Sequence, residues 1–463
     1  MKKILCASTA LVAAGMISAG AASAAEKIKL NVGGYSKWWV VGAWQEKDFQ
    51  NGGNGTIGAS ANGGGAGGVQ RQNVDVKGDN EVWFSGSTAL DNGLKVGVMM
   101  SLEGGGHTDG VTDGIDQSYA WIEGGFGKVL VGAHANGTAL LHVQAPDAAN
   151  NFTNGGMMMG NWAIAKPAGV MGMNQRVGYT TSSNTTAIIS DDKAEKITYV
   201  APSFYGLTLG ASYIPNVSKT LWTSNSAAVN SLNTNNSFGG QHSRGAGSSG
   251  MGAFGGAAMY ANTFGPVGVK ASAGYVWVDL TATGGAENAL TQQAYGAQLS
   301  YAGFTLGGSV QRASDDKKNG GVKSAILGGT SEAGYYGGKG YYANATAAAT
   351  GTQNSELDFG GVAYDIGLQY ASGPYAVSFA YFKSAVVGDT NLRMSTPGAN
   401  KDDTVEAYQA SGKYNLGPGV DVLASVGYIE YTDQRYGTAA TDRANSQYHN
   451  AGWTAMTGLS LAF

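Results

Sequence analysis

Along several segments of this chain, charged side chains alternate regularly with apolar ones. Near the start of one segment, Asp75 and Lys77 alternate with Val74 and Val76. A two-residue period places the charged side chains of a segment on one face, as in a β-strand. A charge is stable in water and costly in hydrocarbon, so we expect these faces to line a wet interior and to create an electric field there. The candidates are Lys29, Lys37, Lys77, Lys95, Lys128, Lys196, Lys270, Lys413, Asp75, Asp79, Glu81, Glu103 and Asp365. Some of them could instead only solvate the strand ends.

Metal and cofactor chemistry has little support in the sequence. The five histidines, His107, His134, His142, His242 and His449, show no metal-ligand spacing. The glycine run 63–68 does not open a helix after a strand, so it predicts a flexible loop and no nucleotide site. We expect no cofactor and no protein-bound metal. Ca²⁺ binding in loops at Asp315-Asp316 or Asp402-Asp403 is an alternative, although paired loop carboxylates are more often only solvated.

Sixteen short strands would position the charged faces. The final segment, 446–463, alternates large apolar residues with small ones and ends on Phe463. Asp91-Asn92-Gly93 predicts a tight turn between two such segments. Along the chain, seven short turns alternate with eight longer connections, which gives sixteen strands. This alternation is typical of a transmembrane antiparallel β-barrel, whereas a half-buried strand of a soluble sandwich would explain only the final segment.

The beginning and the composition of the chain agree with export to a membrane. Residues 1–24 have two lysines, an apolar run and Ala22-Ser23-Ala24, which predicts a signal peptide cleaved before Ala25. Residues 25–463 are then a single barrel domain without cysteine. No apolar run is long enough for a membrane helix, while 75 glycines and 24 tyrosines suit alternating strands and an aromatic girdle. A formal net charge of −4 argues against a nucleic-acid partner.

Two segments and the terminal aromatic residue carry a family resemblance. With KIKLNVGGYSKWW at 27–39, ITYVAPSFYGLTLGASY at 197–213 and Phe463, the chain resembles the general porins of Gram-negative bacteria, of the type found in alphaproteobacteria. The resemblance implies a sixteen-stranded, homotrimeric barrel in the outer membrane, whose third outer loop folds inward. The implied partners are outer-membrane lipid, lipopolysaccharide, ions and small hydrophilic solutes.

The longest connection, residues 134–194, follows the fifth strand and is here called the constriction loop. A run of this length without regular structure is usually functional. Folded into the barrel, it would narrow the interior with His142, Asp147, Lys166 and Arg176 as its candidate charged or titratable residues. A disordered surface loop is the alternative, and the part beyond Arg176 could add a short strand.

The sequence therefore predicts a passive diffusion channel that filters solutes by size and charge. Wall lysines favour anions and the negative net charge favours cations, so both signs of selectivity stay open. A substrate-selective channel would need a continuous row of aromatic or basic side chains through the interior. Tyr35, Trp39 and Trp83 suggest such a row. A barrel enzyme, with His449 as its only candidate residue, and an adhesive or structural barrel are the other hypotheses.

Overall fold

Alternating residues form a wall that closes on itself, and the computed structural model confirms a barrel of sixteen antiparallel strands. It describes residues 27–51, 71–104, 114–154, 156–157, 163–167, 170, 172–173, 184–191, 193–215, 217, 252–279, 289–316, 360–386, 402–437 and 446–463. The barrel strands are β1 (Asn31–Gln45), β2 (Val74–Ala89), β3 (Lys95–Glu103), β4 (Ile115–Gly124), β5 (Gly127–Ala133), β8 (Glu195–Val200), β9 (Leu207–Ile214), β10 (Ala253–Phe264), β11 (Val267–Asp279), β12 (Ala289–Tyr301), β13 (Phe304–Asp316), β14 (Gly361–Ser372), β15 (Tyr375–Val386), β16 (Asp403–Gly417), β17 (Val420–Thr432) and β18 (His449–Ala462). Two further strands, β6 (Phe152–Thr153) and β7 (Gly156–Met157), form a separate hairpin.

The first and last strands complete the barrel. β1 pairs with β18, for example Trp44 with Trp453, so the wall has no unpaired edge. Phe463 extends this pairing beyond the strand, because its N–H donates to the Gly34 carbonyl at 3.1 Å and its carbonyl accepts from the Gly34 N–H at 3.0 Å. A Cβ at Gly34 would lie 2.3 Å from the Glu81 carbonyl oxygen, so only glycine fits at this close approach.

The seven predicted short turns lie at one end of the barrel, here called the turn end, and the long connections lie at the other, the loop end. In the first short turn Gly93 has a φ of 82°, and the Leu94 N–H donates to Asn92 Oδ1 at 3.1 Å. The described helices are α1 (Lys47–Asn51) and α2 (Gly137–Leu140). Within the described residues, no helix is both long and apolar enough to cross a membrane.

The outer surface of the barrel is apolar and is bounded by aromatic rows. Large apolar side chains such as Val377 and Phe379 are more than half exposed on this surface. Towards the loop end, strand register places one continuous row across β15, β16, β17, β18 and β1, formed by Tyr381, Tyr408, Tyr428, Trp453 and Trp44. Towards the turn end, the ring centroids of Tyr375 and Tyr414 lie 4.8 Å apart, with the ring planes tilted by 34°. An apolar band between aromatic rows is typical of a barrel in a bilayer.

The inner face departs from the expected pattern of one apolar and one polar face. On β15, Phe379 is exposed on the outside while Phe382 is fully buried on the inside. The inner face is apolar near the loop end of β11 to β17 because the constriction loop packs there. The core joins loop residues to wall residues, among them Phe152, Met157, Ile164, Met173 and Ile188 with Val278, Leu290, Phe382, Val405, Ile429 and Tyr431.

Candidate functional site

The constriction loop leaves the end of β5, and its described parts lie inside the barrel, as predicted for the third long loop. Its first turn is α2, whose N-cap Asn136 accepts a hydrogen bond from the Ala139 N–H at 2.9 Å. The Gly137 N–H donates to Ser212 Oγ on β9 at 2.8 Å. The cap starts the helix and the serine fixes it to the wall, so the direction of the loop is set within its first residues.

Polar side chains of the wall hold the first half of the loop, strand after strand. They bond mainly to loop backbone, and the contacts are Val143 N to Ser272 Oγ at 3.0 Å, Gln298 Nε2 to the Gln144 carbonyl at 2.7 Å, Ala145 N to Asp365 Oδ1 at 2.7 Å, Ala148 N to Ser378 Oγ at 2.8 Å, and Asn151 Nδ2 to Ser425 Oγ at 2.7 Å. These partners lie on β11, β12, β14, β15 and β17. The buried backbone of the loop therefore finds hydrogen bonds without regular structure of its own.

Glycines of the wall provide the space in which the loop lies. A Cβ at Gly296 would be 1.7 Å from the Val143 carbonyl oxygen, a distance that no side chain could accommodate. At Gly307 a Cβ would be 3.3 Å from Pro146, and at Gly367 it would be 3.1 Å from Ala145. We call this row of inward-facing glycines, Gly296, Gly307 and Gly367 on β12 to β14, the glycine track.

Two carboxylates, one buried on the wall and one half-buried on the loop, attach the loop from opposite directions. Asp365 on the wall is 4% exposed and accepts from the Ala145 N–H, from Thr186 Oγ1 at 2.6 Å and from Ser309 Oγ at 2.5 Å. Asp147 of the loop accepts from Ser378 Oγ at 3.0 Å and from Gln409 Nε2 at 3.1 Å. Both residues thus position the loop. Asp365 lies on the inner face of the wall and is covered by the loop.

The end of the loop is held by two ion pairs. Lys196 Nζ on β8 is 3.2 Å from Asp191 Oδ2, and their side chains are 0% and 1% exposed. Lys196 also donates to the His134 carbonyl and Asn136 donates to Asp191, so this pair joins both ends of the loop. Lys193 Nζ is 3.3 Å from Asp116 Oδ2, at an irregularity in the β3–β4 pairing. Lys196 therefore lies on the inner face and is covered by the loop.

The middle of the loop reaches the seam between β1 and β18. The Ala165 N–H donates to Gln45 Oε1 at 3.1 Å, and Asn450 Nδ2 donates to the Ala165 carbonyl at 2.7 Å. Nearby, Lys166 Nζ donates to the Val170 carbonyl at 2.6 Å, and burial lowers the pKa of this lysine to about 8. One loop segment thus contacts both the first and the last strand.

His142 lies between the loop and the wall. Its Nε2 is 3.1 Å from Thr186 Oγ1, the hydroxyl that also bonds to Asp365. Burial lowers the pKa of His142 to about 4, so the ring is neutral at pH 7. Arg176, the remaining loop candidate, lies outside the described residues.

The inner face of β1 to β5, here called the charged wall, carries most of the other predicted charges. Its lysines lie next to carboxylates: Lys37 is 3.1 Å from Asp79, Lys77 is 2.6 Å from Asp75, and Lys128 is 3.9 Å from Glu123 and 4.2 Å from the centre of the Trp121 ring. Glu81 and Glu103 are direct cross-strand neighbours on β2 and β3. The structure therefore brings six predicted residues together on the three neighbouring strands β1, β2 and β3: Lys37, Lys77, Asp75, Asp79, Glu81 and Glu103.

The remaining wall candidates lie near the turn end. Lys29 precedes β1 and is exposed, Lys95 is the first residue of β3, and Lys270 is half-buried on β11. Lys413 Nζ is 4.0 Å from Asp421 Oδ2. These four lysines lie apart from the carboxylates of β2 and β3.

The residues that the sequence analysis did not identify are those that fix the loop. Asp191, Lys193 and Asp116 form its terminal contacts, and Gln45 with Asn450 holds its middle. The inward position of Gln45 follows from the alternation of β1. Asp116, by contrast, lies at a register shift, which no sequence pattern predicts.

Of the two carboxylate pairs considered for Ca²⁺, the structure describes the side chains of Asp402 and Asp403. Asp403 is buried and accepts from the Gln434 N–H at 2.8 Å. The side chains of Asp315 and Asp316 lie outside the described part. Among the described residues, no three His, Cys, Asp or Glu side chains are arranged to hold a metal ion.

Comparisons with known proteins agree with this geometry. A sequence model of the Gram-negative porins matches residues 7–434. A search of the curated proteins found no match. Among solved structures, the chain is similar to the anion-selective porin from Comamonas acidovorans, with 16% identity, a TM-score of 0.51, and coverage of 94% of this chain and 100% of that one.

Two further structures share the fold. The outer membrane channel DcaP of Acinetobacter baumannii has 12% identity and a TM-score of 0.54, over 95% of this chain and 98% of that one. The trimer form of OmpT from Vibrio cholerae has 11% identity and a TM-score of 0.50, over 95% and 100%. At such low identity the likeness extends to the barrel fold.

Proposed function

This chain belongs to the Gram-negative porin family and forms a channel for small solutes in the outer membrane, and we propose that ions and small hydrophilic solutes diffuse passively between the constriction loop and the charged wall. The loop would set the size limit and the charged wall would set the charge preference. In such barrels the short turns face the periplasm and the long loops face outwards, so solutes enter at the loop end.

The uneven distribution of the loop contacts carries this proposal. The described hydrogen bonds of the loop connect it to β8, β9, to every strand from β11 to β17, and to the seam between β18 and β1, and one ion pair connects its end to β4. Lysines and carboxylates of β1 and β2 pair mainly with one another instead. The loop therefore lies against one side of the interior, and solutes would pass along the other side.

Planar-bilayer recording tests the proposal. The refolded protein should give stable conductance steps, and liposomes that contain it should swell in sugars below a size limit and not above it. A silent bilayer, from protein shown to be folded by heat-modifiable migration on a gel, would overturn the diffusion-channel function.

A substrate-selective channel is the second candidate, because aromatic rings interleave with the charges of the charged wall. Tyr35 and Trp83 are 5.9 Å apart in an edge-to-face arrangement, and Trp121 lies beneath Lys128. Aromatic faces with nearby polar groups bind sugars and other ring-shaped solutes. Saturable block of the ion current by one sugar class would favour this candidate, whereas equal, unsaturable effects of all small sugars would favour passive diffusion.

We also propose a homotrimer surrounded by outer-membrane lipid and lipopolysaccharide. The exposed apolar belt needs lipid or a second subunit around it. Outside the aromatic row, the outward pair Lys383–Glu406, at 2.9 Å, lies where charged lipid headgroups would be. Conductance steps in groups of three and a trimeric mass in detergent would support the trimer; single steps with a monomeric mass would overturn it.

An enzymatic role finds no support at the one histidine that suggested it. His449 Nδ1 is 2.9 Å from Glu46 and its Nε2 is 3.1 Å from Glu430, so both ring nitrogens face carboxylates. We propose a structural role for this histidine, without cofactor or metal. Phospholipase activity of the purified barrel that disappears in His449→Gln would overturn this assignment. N-terminal sequencing of the exported protein would test the predicted cleavage before Ala25.

A further inference from the structure

We propose that Lys196 and Asn136 join in a covalent amide bond between their side chains, with Asp191 as the group that transfers the proton. The bond would tie the first turn of the constriction loop to β8 of the wall. This inference concerns a self-catalysed modification of the chain and not the passage of solutes, so it goes beyond the proposed function.

Lys196, Asp191 and Asn136 form one buried cluster. The side chains of Lys196 and Asp191 are 0% and 1% exposed, and Asn136 is 1% exposed. Asp191 contacts both of the other residues, because its Oδ2 is 3.2 Å from Lys196 Nζ and its Oδ1 accepts a hydrogen bond from Asn136 Nδ2. One carboxylate thus bridges an amine and a carboxamide in a place that is closed to solvent.

The ion pair provides the nucleophile. An amino group attacks a carbonyl carbon only in its neutral form, and a base beside it activates it by taking its proton. Two charges buried in this way are costly, whereas the transfer of one proton from Lys196 Nζ to Asp191 leaves two neutral groups. Lys196 also donates to the carbonyl of His134, two residues before Asn136, so the amine is held beside the first turn of the loop.

The carboxamide of Asn136 is polarised for attack. Its Oδ1 accepts hydrogen bonds from the Ala139 N–H at 2.9 Å and from Thr138 Oγ1 at 2.5 Å. Two donors on one carbonyl oxygen stabilise the negative charge that develops there when a nucleophile adds to the carbon. Its Nδ2 donates to Asp191 and, at 3.0 Å, to the Ile188 carbonyl, so the leaving nitrogen lies beside the proton carrier.

The reaction exchanges one amide nitrogen for another. Lys196 Nζ forms a bond to Asn136 Cγ, and the bond from Cγ to Nδ2 breaks. Asp191 takes a proton from Nζ and gives one to Nδ2, so the nitrogen leaves as ammonia, which carries away the former lysine proton as NH₄⁺, and the carboxylate is restored. No group is oxidised or reduced. The new amide oxygen can still accept from Thr138 and Ala139, so the helix keeps its cap.

Mass spectrometry of the full chain, purified from outer membranes, tests the proposal. Relative to the mass calculated from its sequenced N-terminus, the wild type should lack one ammonia molecule, and its digest should contain a branched peptide that joins Asn136 to Lys196. Lys196→Arg keeps the charge without a reactive amine, and Asp191→Asn removes the proton acceptor, so both variants should have full mass and no branched peptide. The matched control Lys193→Arg changes the other lysine at this end of the loop, which pairs with Asp116, and should keep the cross-link.

A folded wild type of full mass, or a wild-type digest without the branched peptide, would overturn this inference. The loss of one water molecule would instead place the bond at Asp191 and overturn the role of Asn136. Ring closure of Asn136-Gly137 on its own backbone also releases ammonia, but that product would persist in Lys196→Arg, give no branched peptide and likewise overturn the inference. The wild-type digest decides alone if a variant does not fold. Since no result here depends on conductance, the diffusion channel is tested separately.

Discussion

Asp191→Asn is expected to release the end of the constriction loop from β8. The substitution removes the charge that faces Lys196 at 3.2 Å, in a place where both side chains are almost fully buried. Breaking a buried ion pair by removing one partner costs about 3–5 kcal/mol, because the other charge is left uncompensated. Since every 1.4 kcal/mol is about tenfold, the equilibrium between attached and released loop should shift by about 10²- to 10³-fold.

Single-channel recording and limited proteolysis would detect the released loop. We expect the Asp191→Asn channel to conduct with larger and noisier steps, and the loop to be cleaved faster, while the barrel keeps its heat-modifiable migration. The double variant Asp191→Leu/Lys196→Met should restore quiet, wild-type steps, because apolar residues of similar volume can replace a buried ion pair. Wild-type noise and cleavage in Asp191→Asn would refute the view that this pair holds the loop.

Three further predictions follow from the loop and the charged wall. Burial lowers the pKa of His142 to about 4, against about 6.5 in an exposed loop. A released loop therefore takes up a proton between these values, and attachment of the loop should weaken by at most about 3 kcal/mol as the pH falls from 6.5 to 4. Channel noise should rise over this window in the wild type and stay flat in His142→Gln. Gly296→Ala should displace the loop at a cost of about 1–3 kcal/mol, seen as a lower unfolding midpoint, whereas Gly256→Ala should be neutral because nothing lies within 4 Å of its added Cβ. Lys77→Glu should shift the zero-current potential towards cation preference. Lys401→Glu, at a position outside the described residues, should change this potential little. Equal shifts from both variants would show that the electric field is set at the mouth of the channel.

The wall of the barrel could be predicted because its signals are local. Alternation, glycine-containing turns such as Asn92-Gly93 and the spacing of long connections are readable from neighbouring residues. The same alternation predicted that Lys196 and Asp365 face the interior. The number of strands and the inward third loop were therefore within reach of the sequence.

The path of the loop could not be predicted, because its contacts join residues that are far apart in the chain. Ser272, Ser378 and Ser425 receive the loop, yet each is only a small polar residue in an alternating strand. Gly296 is likewise one of 75 glycines, and nothing in its neighbours marks it as the place that Val143 approaches. For the same reason, the sequence could not show that Lys196 and Asp365 are covered.

The contact of Ala165 with Gln45 and Asn450 has a consequence for the order of assembly. These two wall residues lie on the first and last strands and come together only when the barrel closes. Contacts between distant parts of a chain form late, because their loop-closure entropy must first be overcome. The middle of the loop therefore reaches its final position at or after closure, and its contacts then stabilise the closed seam. In this protein, the barrel and its filter would be completed in the same last step of folding.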